Sequence, residues 1–404
     1  MKTLVLMAIM LCGLSAAMCP AFAQTWTQTS APTNYWISIA GSADGSKLFA
    51  CGQSSTTPLK PQPIYFSTDG GATWTLSGAP SNYWNSVASS ADGMKIIAGV
   101  DGPGAGEDGF FLSNDGGLTW TSNNIIPVKK WVSVASSADG SRLFALNSDL
   151  YTSTNFGATW YSPATGINSV ATSADGAKLI AATLNNYVCT STNTGTSWQT
   201  NVYVNPPFSV ASSADGNVLA VISGAGGPAG RILISTNAGA AWVTNNTSGY
   251  AGFRIAVSAN GSKIIVAGLV SSGLLYGPIY TSTNAGLTWI SNSIPRSTWY
   301  GVYYSADGNK QMAVSSGTNL ASNGLGHIWI SQTTPTPQLN FASSNNNLAF
   351  SWLIPSTNCV LQQSSDLISW SSVTDAPALN FTNLNYELTI SPSNSSGFFR
   401  LMAQ

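Results

Sequence analysis

Short apolar runs alternate with clusters of turn residues along most of the chain, and the alternation recurs. One unit is an apolar run, then Ser-Ala-Asp-Gly, a short polar step and a second apolar run. Asp-Gly between apolar runs predicts a β-hairpin, with Asp and Gly at positive φ in a type I′ turn. Seven copies, the sixth with Asn for Asp, begin at Ser42, Ser90, Ser137, Ser173, Ser213, Ser258 and Ser305.

A second unit, Ser-x-Asp-x-Gly-x-Thr-Trp, lies between these copies. It is complete at 67–74 and 113–120. Its Asp would accept hydrogen bonds from turn amides while the Trp packs beneath the turn. Relaxed copies carry Asn155, Asn193, Asn237 and Asn284 and end at Trp160, Trp198, Trp242 and Trp289. Two hairpins per repeat give four strands in about 45 residues, the size of one β-propeller blade.

The two units differ in number, with seven first hairpins and six second hairpins. Residues 25–36 match 73–84 at a constant offset of 48, so Trp26 begins an unpaired fourth strand. His327–Ser331 then forms an unpaired third strand. We expect these two strands to pair, because closing the ring removes exposed sheet edges. Residues 24–332 are therefore predicted to form a seven-bladed β-propeller in an all-β protein.

The Ser-x-Asp-x-Gly-x-Thr-Trp unit resembles the Asp-box, or bacterial neuraminidase repeat, over about residues 25–332. Sialidases, sortilin-type receptors, xyloglucan-cleaving glycosidases and photosystem II assembly factors share this repeat. The resemblance implies a propeller whose ligand site lies on the face formed by the blade-to-blade crossovers. It also spans hydrolases and non-catalytic binders. The repeat region lacks the F-R-I-P start of sialidases and a Glu near a Tyr, and seven blades replace six, so we expect the non-catalytic type.

The two ends of the chain differ from the repeats. Residues 1–23 have the pattern of a signal peptide cleaved after Ala23, which predicts a secreted, extracellular or periplasmic protein. A Thr/Pro linker at 333–338 precedes a small β-sandwich at 339–404. This module resembles one with an L-Q-x-S-x-D-L-x-x-W core and an F-F-R-L end, found on secreted proteins of the Verrucomicrobia–Planctomycetes type. Surface attachment and substrate binding are both open as its role.

Composition narrows the choice of function. Charged residues make up 7% of the chain and the net charge is −1, which excludes nucleic-acid binding through a basic field. No apolar segment after the signal peptide is long enough to span a membrane. The single His and scattered Cys give no metal site, and no cofactor is expected. We expect a monomer whose partner is a glycan or an extracellular protein.

Aromatic residues precede the first strand of most blades, on the crossover face. They are candidate ligand-binding residues together with two arginines: Trp36, Trp84, Trp131, Phe208, Phe253, Trp299, Arg254 and Arg296. A ring of flat apolar faces suits stacking on sugars, whereas wedge packing between blades would explain the same repetition. Other charges expected on this face are Asp101, Glu107, Asp108, Asp149, Lys60, Lys129, Lys130 and Arg231.

No catalytic residue is assigned from the sequence. The expected function is therefore non-catalytic binding of a glycan or protein at the crossover face. A glycoside hydrolase, drawing a carboxylate pair from the spare acids, is the first alternative. An extracellular structural or assembly factor is the second.

Overall fold

The computed structural model describes residues 25–53, 60–101, 109–123, 126, 131, 133–204, 206–223, 231–246, 250–270, 277–316, 325–333, 338–344, 347–355, 359–391 and 397–403. The signal peptide and most of the linker lie outside these residues, so both stay predictions. The described residues are all-β, with 35 strands in nine sheets. No helix among them has the length and apolar character needed to cross a membrane.

Six four-stranded sheets follow the short strand β1 (Thr27–Gln28), each built from four consecutive antiparallel strands. Blades 1 to 3 comprise β2 (Tyr35–Gly41), β3 (Leu48–Gln53), β4 (Ile64–Ser67), β5 (Thr75–Leu76), β6 (Trp84–Ser89), β7 (Ile96–Val100), β8 (Phe110–Ser113), β9 (Thr121–Asn123), β10 (Ser133–Ser136), β11 (Leu143–Leu146), β12 (Asp149–Ser153) and β13 (Tyr161–Thr165). Blades 4 to 6 comprise β14 (Ile167–Thr172), β15 (Leu179–Thr183), β16 (Tyr187–Ser191), β17 (Gln199–Tyr203), β18 (Pro207–Ser212), β19 (Leu219–Ser223), β20 (Arg231–Ser235), β21 (Val243–Asn246), β22 (Tyr250–Val257), β23 (Ile264–Val270), β24 (Ile279–Ser282) and β25 (Ile290–Ser291).

The seventh blade joins the two ends of the repeat region. Its strands β26 (Trp299–Tyr304), β27 (Lys310–Ser315) and β28 (Ile328–Gln332) are completed by β1. β1 pairs with β28 in antiparallel register, with Thr27 opposite Ile330 and Gln28 opposite Trp329. The predicted closure is confirmed. Trp26 is buried in the same blade, so closure contributes core packing as well as backbone hydrogen bonds.

Both hairpins of a blade leave the same face, as expected. Backbone bonds join the two turns, for example from Gly70 N to Ser46 O at 2.8 Å and from Gly116 N to Met94 O at 2.9 Å. We call this side the hairpin face and the opposite side the crossover face. Each innermost strand, such as β2 or β6, therefore runs from the crossover face toward the hairpin face.

The Ser-Ala-Asp-Gly turns differ from the predicted type I′ geometry. Gly45 has a φ of 67°, but Asp44 is not at positive φ. The Gly45 amide donates to Ser42 O at 2.8 Å, and the Asp44 carboxylate accepts from the Ser46 amide at 2.9 Å. A longer turn with one left-handed Gly satisfies the backbone, so the type I′ prediction was wrong although the hairpin was right.

The turns of the second hairpins have the hydrogen bonds expected for the Ser-x-Asp-x-Gly-x-Thr-Trp unit. The Asp69 carboxylate accepts from the Thr73 amide at 2.9 Å and the Thr73 hydroxyl at 2.6 Å, and the indole N–H of Trp74 donates to Gly71 O at 3.2 Å. Asn155 accepts from the Thr159 amide at 2.9 Å and donates to its hydroxyl. Asn thus preserves the turn with one hydrogen bond reversed.

A closed circuit of backbone hydrogen bonds runs around the propeller axis at the hairpin face. The amide of each Ser-Ala-Asp-Gly alanine donates to the carbonyl of the corresponding alanine in the next blade, and the last donates to the first. All seven distances lie between 2.6 and 2.9 Å. We call this set the alanine ring: Ala43, Ala91, Ala138, Ala174, Ala214, Ala259 and Ala306. The backbone itself therefore ties seven blades into one ring.

A basic side chain adds a second link between most neighbouring blades. Lys47 Nζ donates to Asp92 O at 2.9 Å, and Lys310 Nζ donates to Gly45 O at 3.0 Å. The equivalent residues Lys95, Arg142, Lys178 and Lys263 also reach carbonyls of the next hairpin. Blade 5 carries Val218 at this position. These residues, which the sequence marks only as polar positions, are inter-blade connectors.

Two further sheets follow the propeller. One orders its strands β29 (Asn340–Ser344), β30 (Asn347–Leu353), β34 (Asn385–Ile390) and β33 (Ala378–Asn380); the other orders β32 (Ser371–Ser372), β31 (Cys359–Ser364) and β35 (Phe398–Ala403). Phe350 and Trp352 of the first sheet and Leu361 of the second share one buried cluster. This is the predicted β-sandwich.

Candidate functional site on the crossover face

Four of the predicted ligand-binding aromatics are fully buried. Trp36, Trp84 and Trp131 are 0% exposed and Trp299 is 1% exposed. Trp84 lies in one cluster with residues of blades 1 and 2 and meets Phe111 edge-on, with ring centroids 5.2 Å apart. Of the two alternatives left open by the sequence, burial at these positions fits wedge packing between blades and not stacking on a ligand. The rings fill the wedge between blades, because only a large side chain occupies the space that opens there.

The two predicted phenylalanines do not share the tryptophan position. Trp84 pairs with Val100, and a bulge follows before Ser86. In blades 5 and 6 the corresponding paired residues are Pro207 and Gly252, so Phe208 lies on the bulge instead. The side chain of Phe253 lies outside the described part of the chain. A shift of one residue turns a side chain to the other side of a strand. Phe208 therefore does not occupy the tryptophan position that the repeat predicts for it, and it is partly buried.

Arg254 lies on the inner strand of blade 6 at the position held by Ser38 in blade 1 and Gly301 in blade 7. The registers agree, because Arg254, Ser38 and Gly301 each follow the bulge of their strand. Ser38 accepts a hydrogen bond from Val87 N of the next inner strand at 3.2 Å. Residues at this position therefore face the neighbouring inner strand near the axis. An arginine there departs from the small residues of the other copies.

Three residues from consecutive inner strands meet in this region. The Tyr35 and Tyr300 hydroxyls are 2.9 Å apart, and their ring centroids are 5.5 Å apart at 44°. Arg254 interacts electrostatically with Tyr300. We call Arg254, Tyr300 and Tyr35 the channel cluster. Because blades 6, 7 and 1 each contribute one inner strand, the cluster lies on the wall of the central channel, in its crossover half.

Burial controls the protonation of the channel cluster. Desolvation lowers the pKa of Arg254 to about 10, and the nearby Tyr300 opposes that shift. Desolvation also raises the pKa of Tyr300, the hydrogen bond to Tyr35 adds to this, and Arg254 acts in the opposite direction. At neutral pH the Arg254 guanidinium is therefore charged and the Tyr300 phenol is neutral. Such a group suits an acidic or hydroxyl-bearing ligand.

The other charged residues expected on the crossover face lie in different blades and loops. Arg296 is exposed in the loop after blade 6, and Lys60 and Arg231 are exposed at loop edges. Asp101 and Asp149 are partly buried in blades 2 and 3, where the Asp101 amide donates to Tyr83 O at 2.8 Å. Glu107, Asp108, Lys129 and Lys130 lie outside the described residues. Among the predicted charged site residues, Arg254 interacts with a neighbouring aromatic, Tyr300.

His327 has a structural contact. Its Nδ1 lies 3.0 Å from Gln28 Nε2 across the closing strands, and burial lowers its pKa. The described residues contain no group of three or more His, Cys, Asp or Glu side chains placed to hold a metal ion.

Comparison with known proteins identifies the class of fold. No protein-family model matches the sequence, and no curated protein matches it. Among solved structures, YCF48 bound to D1 peptide has a TM-score of 0.55 and 16% identity, covering 78% of this chain and 97% of that one. The chain is a β-propeller by this likeness.

Two further structures extend the likeness. A GH74 xyloglucanase from Xanthomonas campestris has a TM-score of 0.55 and 14% identity, covering 82% of this chain and 59% of that chain. The Cps50 (Swd1) β-propeller domain of Myceliophteria thermophila has a TM-score of 0.55 and 10% identity, covering 77% and 100%. Identities this low show the fold alone.

Proposed function

We propose that this protein is a secreted, non-catalytic binding protein that recognises a glycan or an extracellular protein through the crossover face of its propeller. The channel cluster carries the proposal. Arg254 brings a partly desolvated charge into a channel wall where the fold requires only a small residue. Tyr300 and Tyr35 add two hydroxyls within hydrogen-bonding distance of each other.

A protein ligand and a glycan ligand each have separate support. The similar propeller YCF48 was solved bound to a peptide, and the similar xyloglucanase is named for a polysaccharide. The Asp-box resemblance covers both kinds of protein. We also propose that the propeller belongs to the Asp-box superfamily. The C-terminal module is proposed to be related to the modules of secreted Verrucomicrobia–Planctomycetes proteins.

The hydrolase alternative needs a pair of carboxylates at the ligand. Asp101 and Asp149 belong to different blades, and neither is part of the channel cluster. Non-catalytic binding therefore fits the described charges better.

Glycan and peptide arrays on the secreted chain test the proposal. Arg254→Gln should weaken binding of any hit by roughly 10- to 100-fold, because hydrogen bonds to a charged group are lost. Arg254→Lys keeps the charge, and Arg296→Gln is the matched control on an exposed arginine. Equal losses in Arg254→Gln and Arg296→Gln would contradict a site at the cluster.

Two outcomes favour the alternatives. Release of reducing sugar from xyloglucan or sialic acid from sialosides would support a hydrolase. An absence of hits on both arrays would support the structural or assembly role. Secretion is tested by the mature N-terminus, which should begin at Gln24.

A further inference from the structure

The alanine ring is an apolar surface at the hairpin-side mouth of the channel. The backbone amides and carbonyls of the seven alanines are all used in the closed hydrogen-bond circuit. The surface around the axis is therefore left with the short methyl side chains. Ala43, Ala91 and Ala138 are buried although they lie at an end of the propeller. A ring of methyl groups is buried there only if something covers it.

The C-terminal sandwich supplies the cover. Ile354, 3% exposed, shares one buried cluster with the alanine ring rather than with the core of its own sandwich. Leu353, Leu379, Phe381, Leu384 and Tyr386 pack against the same cluster. They come from the end of β30, from β33 and β34, and from the turn between these two strands. The Ile354 amide donates to Leu384 O at 2.9 Å, which fixes the two segments as one apolar tip.

The connection between the two parts holds this tip near the ring. The amide of Thr333 donates to Asn309 O at 2.9 Å, so the chain leaves the propeller from the hairpin face of blade 7. Five peptide steps to Gln338 reach at most about 18 Å. A tether this short keeps the local concentration of the module high, which favours a permanent contact. Burial raises the pKa of Tyr386, and the charge of Asp44, a neighbour of the ring, adds to that shift.

We propose that the alanine ring is a docking surface whose occupant is the C-terminal sandwich, which acts as a plug at the hairpin-side mouth of the channel. The crossover mouth is then the entrance for a ligand. The module works as a fixed part of the propeller, not as a separately mobile attachment domain. This role is independent of what the crossover face binds.

Limited proteolysis of the full chain at the 333–338 linker tests the plug. Ile354→Asp places a charge in the tip, and Ala138→Glu places one in the ring. Ile368→Asp, on a residue of the same module that is 84% exposed, is the matched control. Losing one buried isoleucine contact shifts a docking equilibrium by roughly 10- to 100-fold. Cleavage follows the open population when opening is fast.

We expect the wild type and Ile368→Asp to resist cleavage and both docking variants to be cut at least about tenfold faster. Small-angle scattering should show a larger radius of gyration for the docking variants only. Equal cleavage of wild type and docking variants, with equal radii, would overturn the plug. Because Ala138→Glu leaves the sandwich sequence unchanged, its effect separates undocking from unfolding of the module.

Discussion

Replacing Trp84 by Ala tests whether the crossover tryptophans are structural. Trp84 is 0% exposed, and its cluster contains Phe49 and Ile64 of blade 1 as well as Val100 of blade 2. Truncating a buried aromatic of this size costs about 3–5 kcal/mol, because transfer energy is lost and a cavity remains. For a chain of this length, with an unfolding entropy of about 2.1 cal/mol/K per residue, that is a fall in melting temperature of about 4–6 °C.

Two Phe variants refine the measurement. The indole N–H of Trp84 has no hydrogen-bond partner among the described residues, whereas that of Trp299 donates to Gly277 O at 2.9 Å. Trp84→Phe therefore loses packing alone, whereas Trp299→Phe also removes the indole hydrogen bond to Gly277 O. The second change should cost about 1 kcal/mol more.

Thermal melts and urea unfolding of the three variants, with glycan-array binding in parallel, provide the readout. The wedge interpretation predicts loss of stability with any ligand affinity retained in the folded protein. A Trp84→Ala protein that melts like the wild type but loses glycan binding would refute it and restore the stacking platform.

Three further predictions concern the ring and its turns. Deleting 25–30 should lower the melting temperature by several degrees or prevent folding, since it opens the closing sheet; an unchanged melt would contradict this. Hydrogen bonds from Thr73 lower the pKa of Asp69 to about 2, below an unfolded value near 3.9, so its stabilisation is present above about pH 4 and lost toward pH 2. Asp69→Asn, which copies the Asn155 turn, should be nearly as stable at pH 7 and lose less on acidification in urea titrations; identical pH profiles would disprove it. Lys310→Met should cost about 1–3 kcal/mol in urea unfolding and more than the same change at the less buried Lys178, and the reverse order would be inconsistent with its buried link.

Local chemistry explains how much of the fold the sequence predicts. Hairpins depend on turn residues a few positions apart, so Asp-Gly and Asp-box spacing are enough to locate the strands of each blade. Closure of the ring follows from counting hairpins, because the repeat region begins with an unpaired fourth strand and ends with an unpaired third strand. The type I′ error arose because Asp44 uses its carboxylate to satisfy the turn, so that only Gly45 needs positive φ.

The site was harder to predict because it depends on contacts between distant residues. A bulge of one residue decides whether an aromatic enters the wedge, and no residue type marks that bulge in the sequence. Phe208 was misplaced for this reason. The meeting of Tyr35 with Tyr300 spans 265 positions, and the plug joins Ile354 to alanines from several blades.

Departures from the repeat carry more functional information than the repeat itself. A residue type that recurs at one position meets the same packing demand in each blade. The tryptophans, the alanine ring and the second-hairpin turns are of this kind, and each makes packing contacts or hydrogen bonds that stabilise the propeller. Arg254 is different, because desolvating its charge has a cost that a small residue at this position avoids. Arg254 is therefore the position at which the proposed binding role should be tested first.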